Sequence, residues 1–123
     1  MVEDNVAMRR IVLQQLSGLN YLCLEAEDAA AALAVMEREK VDLLFTDIEM
    51  PGDLNGLGLT AQVRTRWPAT RALLTSALSF SARSELRGNP VPDTALLRKP
   101  YNLMQLAEAV HDALIVSPRI KEA

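Results

Sequence analysis

Short, nearly unbroken apolar runs alternate along this chain with stretches in which apolar residues recur every three to four positions. That alternation constrains the fold more than any other feature. Tyr21–Leu24 (YLCL), Val41–Thr46 (VDLLFT), Arg71–Ser76 (RALLTS) and Thr94–Leu97 (TALL) have the length and continuity of strands buried on both faces. Between them, Asn5–Gly18 sets Met8, Ile11, Val12, Gln15, Leu16 and Leu19 along one side, with Asn5 as cap and Gly18 suited to a left-handed end. Asp28 caps an Ala-rich stretch that places Ala29, Ala32, Leu33 and Met36 on one face. Leu59, Val63 and Trp67 predict a helix that stops before Pro68, and the polar segment Ser79–Arg87 predicts a short helix broken at Asn89–Pro92. Asn102–Ile115 predicts a last helix burying Leu103, Leu106, Ala107, Val110 and Leu114. Strands that alternate with helices through short loops make βαβ units, hence an α/β fold whose parallel sheet is covered on both faces. Only Met1 and Val2 precede Glu3, so the first strand is expected either to be very short or to lack upstream residues.

Composition narrows the functional classes. A chain of 123 residues, half of them hydrophobic, has room for one core. The expected organisation is one domain over residues 1–116 with a short polar tail, 117–123. Lys and Arg number 13 against 16 Asp and Glu, a net charge of −3, which argues against a nucleic-acid-coating protein. The single cysteine, Cys23, excludes an internal disulfide framework, and no apolar run reaches the ~20 residues of a membrane span. The acidic start carries no signal peptide, so a cytoplasmic location is expected.

In an open parallel sheet, ligands bind beyond the carboxyl ends of the strands. Those ends fall at Glu3-Asp4, Asp47, Thr75-Ser76 and Lys99-Pro100. Three carboxylates, a hydroxyl and an ammonium are therefore expected along one edge. Clustered carboxylates hold their protons more tightly unless a cation neutralises them, and an all-oxygen donor set suits Mg²⁺. A metal facing Lys99 makes a pocket for a phosphoryl group, and an Asp inside it is a candidate nucleophile.

Glu3-Asp4-Asn5, Thr46-Asp47-Ile48-Glu49-Met50-Pro51-Gly52, Leu74-Thr75-Ser76 and Lys99-Pro100-Tyr101 follow one another in a distinctive order and spacing. Through these four motifs the chain resembles, over roughly residues 2–115, the receiver domain of two-component response regulators. The resemblance implies a flavodoxin-like, doubly wound five-stranded parallel sheet of order 2-1-3-4-5. It implies that Asp47 accepts a phosphoryl group from a histidine kinase or a histidine phosphotransfer protein. Asp4 and Asp47 would coordinate Mg²⁺ directly, Glu3 through a water and Glu49 through its backbone carbonyl. Lys99 would bridge Asp47 and then the phosphate, and Ser76, rather than adjacent Thr75, would turn its hydroxyl to the phosphoryl oxygens. The backbone N–H groups of Ile48 and Ala77 would add donors, and the Lys99–Pro100 bond is expected cis. Output would pass by protein contact through the surface around Leu78–Arg87, the last strand and the last helix. The implied role is a switch rather than an enzyme, with a downstream protein partner, a homodimer left open, and no direct nucleic-acid or membrane partner.

The chain also departs from that pattern. Leu96 stands three residues before Lys99, where relatives often carry an aromatic residue, and the loop Pro51–Gly56 is one residue longer than the commonest form. Two competing functions follow from the same residues. A haloacid-dehalogenase-type phosphatase would need a second Asp two residues after the nucleophile, where this chain has Glu49. A phosphate-independent interaction module, or a detached receiver fragment of a hybrid histidine kinase, is favoured by Leu96 and the short first strand. His111 reads as a surface residue, Cys23 as a small buried hydrophobe and Trp67 as helix-end packing. Arg9 and Arg10 read as solvated, with a partner-facing surface as the other option.

Overall fold

A computed structural model describes residues 1–50, 52, 54–76 and 95–115. Four helices and three strands occupy them: α1 (Val6–Gly18), α2 (Ala29–Arg38), β1 (Leu43–Asp47), α3 (Gly56–Arg66), β2 (Arg71–Ser76), β3 (Ala95–Arg98) and α4 (Leu103–Ile115). The helix starts follow local chemistry. The side chains of Asn5, Asp28 and Asn55 accept hydrogen bonds from the backbone N–H groups of Met8, Ala31 and Gly58. Asn102 and Gln105 cap each other reciprocally ahead of α4, at 2.7 and 2.9 Å.

The strands run parallel in the order β1-β2-β3, with Asp47 opposite Thr75 and Leu74 opposite Leu96. Beyond β1 the sheet continues through single parallel bridges, Val2 to Thr46 and Val2 to Ala26. The lateral order is therefore Ala26, Val2, β1, β2, β3, which is the 2-1-3-4-5 arrangement with its first two positions reduced to one bridged residue each. The expected strand Tyr21–Leu24 does not form. Pairing in that region reaches the backbone of Met1–Glu3 alone, through Ala26 and the Leu24 carbonyl, and Leu22 is fully exposed. The expected helix Ser79–Arg87 and the tail 117–123 lie outside the described residues.

Alternation along β1 divides the core. Leu44 faces Ala29, Ala32 and Met36 of α2 and Leu59 and Val63 of α3, while Phe45 faces Val12 and Leu16 of α1 and Leu106 and Val110 of α4. Helices thus cover both faces of the sheet. Two apolar residues expected on buried helix faces are exposed: Ile11 at 51% and Leu103 at 46%. The apolar stripes of α1 and α4 are narrower than the sequence pattern suggests, because Val12, Leu16, Leu106 and Val110 suffice to meet Phe45 and Leu73. The left-handed residue after α1 is Asn20 (φ 72°) rather than Gly18, which stays helical. Trp67 caps α3, half-buried, with the Arg66 guanidinium 4.3 Å above its ring. Cys23 is half-buried outside any strand, and His111 is exposed. No helix among the described residues is long and apolar enough to cross a membrane.

Candidate functional site

Asp47 ends β1 with 4% of its surface exposed. Its backbone is fixed from two sides. The N–H donates to the Val2 carbonyl (3.1 Å), and the carbonyl accepts from the Thr46 hydroxyl (3.0 Å). Gly56 opens α3 by donating its N–H to the Ile48 carbonyl at 2.9 Å. A Cβ at position 56 would overlap the Asp47 carbonyl oxygen and lie 2.8 Å from Ile48 Cα, so this close approach of helix to strand requires glycine.

Around the Asp47 side chain the strand ends converge. Lys99, just past β3 and preceding a cis Lys99–Pro100 bond, donates from Nζ to Asp47 Oδ2 at 2.9 Å and to Glu3 Oε1 at 3.5 Å. Glu3 is 3% exposed, and its Oε2 accepts the Asn5 N–H at 3.1 Å. Asp4 is exposed, yet one carboxylate oxygen from each of Glu3, Asp4 and Asp47 lies within 4.8 Å of the other two. Asp47 Oδ1 is buried and has no hydrogen-bond partner among the described residues. A buried acceptor without a donor is costly, and here it borders a cluster of hard oxygen atoms. That donor set fits a hard divalent cation.

The electrostatics agree. Burial raises the Asp47 carboxyl from 3.8 to about 6, the hydrogen bond and charge of Lys99 pull against that rise, and the charges of Glu3 and Glu49 add to it. For Lys99, burial works against the ammonium, but the bond to Asp47 and the charges of Asp47 and Glu3 outweigh it and hold its pKa above the ordinary lysine value. One ammonium thus does not neutralise the carboxylates that surround it.

Of the residues singled out in the sequence, Glu3, Asp4, Asp47 and Lys99 meet here. Ser76 ends β2, and its hydroxyl donates to Glu49 Oε2 at 2.5 Å. Its neighbour Thr75, opposite Asp47 in the sheet, keeps a fully buried hydroxyl with no partner among the described residues. The Ile48 N–H is not offered to the site: it donates to the Thr75 carbonyl at 2.9 Å, continuing the parallel ladder past Asp47. Ala77 lies outside the described residues. Two features escape a reading of the sequence. The Glu49 side chain is engaged with Ser76. Arg9, expected in solvent, is only 13% exposed along its side chain, donating to the Glu3 carbonyl at 2.7 Å and to Glu25 Oε1 at 2.9 Å, so it ties the acidic turn to α1. An arginine at helical spacing from an acidic pair is the one available signal, and it does not separate this clamp from a solvated side chain.

Comparison with known proteins decides what this edge belongs to. The family profile described as "Response regulator receiver domain" matches residues 1–111. The chain belongs to the response regulator receiver family. Among curated relatives, it is 35% identical over 63 residues to the sensor histidine kinase RcsC of Escherichia coli (strain K12), covering 51% of this chain and 6% of that protein. It is 27% identical over 114 residues to the transcriptional regulatory protein GlrR of the same organism, covering 93% of this chain and 25% of that protein. The chain thus spans a quarter or less of the length of these relatives. Among solved structures, the receiver domain of NtrX from Brucella abortus superposes with a TM-score of 0.83 at 25% identity, covering 94% of this chain and 97% of that one. The chemotaxis protein CheY4 of Vibrio cholerae gives 0.80 at 25% identity, covering 92% and 94%. Receiver domains are signalling modules of two-component systems. In this receiver domain Leu96 is half-buried beside Ile48, Leu57 and Leu74, an apolar contact with no polar tip to exchange between solvent and core.

Proposed function

We propose that this receiver domain is a phosphorylation-dependent switch whose acceptor is Asp47. The observation that carries the reading is the division of labour at one carboxylate: Oδ2 is held by Lys99, while Oδ1 is buried with no partner among the described residues, on a side chain that groups with Glu3 and Asp4. A carboxylate oxygen of Asp47 attacks the phosphorus of a phosphohistidine on a histidine kinase or phosphotransfer protein. A P–O bond forms as the P–N bond breaks, and the imidazole leaves with the electron pair and takes up a proton. Lys99 moves from neutralising the carboxylate to neutralising the phosphoryl oxygens, and Ser76 donates to one of them.

The acidic cluster suits Mg²⁺, with Asp4 and Asp47 as direct ligands, Glu3 acting through a water and Glu49 through its backbone carbonyl. When bound, the ion offsets the negative charge gathered at the edge. Output passes by protein contact from a unit spanning residues 1–116, in the cytoplasm. Incubation with acetyl phosphate and Mg²⁺, followed by intact-mass measurement, tests the reading. The expected result is a gain of one phosphoryl group that requires Mg²⁺ and is absent in Asp47→Asn. Equal labelling of wild type and Asp47→Asn contradicts it.

A further inference from the structure

Ser76 carries one hydroxyl proton, and that proton is already committed. Its Oγ donates to Glu49 Oε2 at 2.5 Å. A hydroxyl donates one hydrogen bond at a time, so the proton serves either the Glu49 carboxylate or an oxygen of a phosphoryl group on Asp47. The two acceptors are close in sequence and lie beside one edge of the sheet. Glu49 is two residues beyond Asp47, and Ser76 is one residue beyond Thr75, the sheet partner of Asp47. A phosphoryl group also brings ~−1.5 to −2 charge, which repels a neighbouring carboxylate.

We propose that Glu49 is a latch on Ser76: its carboxylate holds the hydroxyl in the unphosphorylated arrangement, and phosphorylation must break that bond before Ser76 can turn to the phosphoryl group. Glu49 is a positioning residue in this scheme. It acts through Ser76, and its side chain is separable from its backbone carbonyl, which every substitution at 49 retains. The inference rests on the reading of Asp47 as acceptor and deepens it: the latch sets how readily the switch closes and keeps the domain off at low donor supply.

The test is the rate of phosphorylation by acetyl phosphate with Mg²⁺, read by intact mass in wild type, Glu49→Ala, Glu49→Gln, Ser76→Ala and the Ser76→Ala/Glu49→Ala double variant. Releasing a charge-assisted hydrogen bond should speed phosphorylation of Glu49→Ala by about tenfold. Glu49→Gln keeps an acceptor without the charge and should fall between Glu49→Ala and wild type. In the Ser76→Ala background the gain from Glu49→Ala should shrink below about threefold, because only simple charge repulsion remains. An unchanged rate in Glu49→Ala overturns the latch, as does an equal gain with and without Ser76, which would make Glu49 a bulk charge acting without the hydroxyl. Absence of any phosphoryl gain on the wild type overturns instead the reading of Asp47, and the latch with it. Thermal midpoints of the variants separate both outcomes from loss of fold.

Discussion

The two ends of β1 solve opposite problems with the same strand. At its amino end, Leu16, Leu22, Tyr21, Leu43 and Leu114 line an open, largely apolar groove of about 590 Å³, where Leu22 stands fully in solvent. At its carboxyl end, Glu3, Asp47 and Ser76 are 3%, 4% and 0% exposed. Apolar groups are left in water at one end, and at the other the Glu3 and Asp47 carboxylates and the Ser76 hydroxyl are withheld from it while Asp4 stays exposed. The first arrangement forgoes some hydrophobic stabilisation. The second works against folding outright, since a buried carboxylate that one ammonium does not fully offset favours its protonated form. A fold that tolerates this at the rim must draw its stability from between the two ends.

Substitutions along the strand sharpen that contrast. Phe45, 2% exposed and 6.4 Å from the Tyr101 ring, lies midway, and Phe45→Ala should cost about 3–5 kcal/mol in urea unfolding. At the carboxyl end the sign reverses. Asp47→Asn should stabilise the metal-free protein by roughly 1–3 kcal/mol, because it removes the charge that burial disfavours. The same group makes stability depend on pH. Its folded pKa of about 6 lies above the ordinary 3.8, so between these values the folded chain binds more protons than the unfolded one. Metal-free stability should therefore be greatest below that window, fall as pH rises through it and level off above it. In Asp47→Asn this part of the slope disappears, which thermal melts in a chelating buffer would read. At the amino end, Leu22→Ser should change stability by less than about 0.5 kcal/mol, as expected of a side chain that buries nothing. A larger loss would mean that the groove wall contributes to the core.

The same contrast explains what could be read from the chain alone. β1 and β2 were legible within one or two residues because each is flanked by partners and almost wholly buried, and β3, half-buried along Leu96 and Leu97, was legible from its pairing-length apolar run, so apolar continuity and strand formation coincide. Tyr21–Leu24 has the same apolar continuity, but the backbone bonds to Met1–Glu3 are made by Leu24 and Ala26, at and beyond the end of that run, and Leu22 stands in solvent. At the rim, Glu3, Asp4, Asp47 and Lys99 were legible because strand ends in a parallel sheet collect at one edge. The Arg9 clamp, the bond between Ser76 and Glu49 and the overlap that forces glycine at 56 depend on side-chain directions and ångström-scale approach. Nothing in residue spacing encodes those. The bond from the Ile48 N–H to the Thr75 carbonyl is hidden from the sequence for a related reason: the parallel ladder runs one residue past Asp47.

The most direct measurement is an NMR titration of the Asp47 carboxyl carbon, without divalent cation and then with saturating Mg²⁺. A midpoint near 6 in the metal-free protein, moving well downward when the ion is added, is the expected result. A carboxyl that titrates near 3.8 and ignores Mg²⁺ would show that the acidic edge is already neutralised, and would contradict the account.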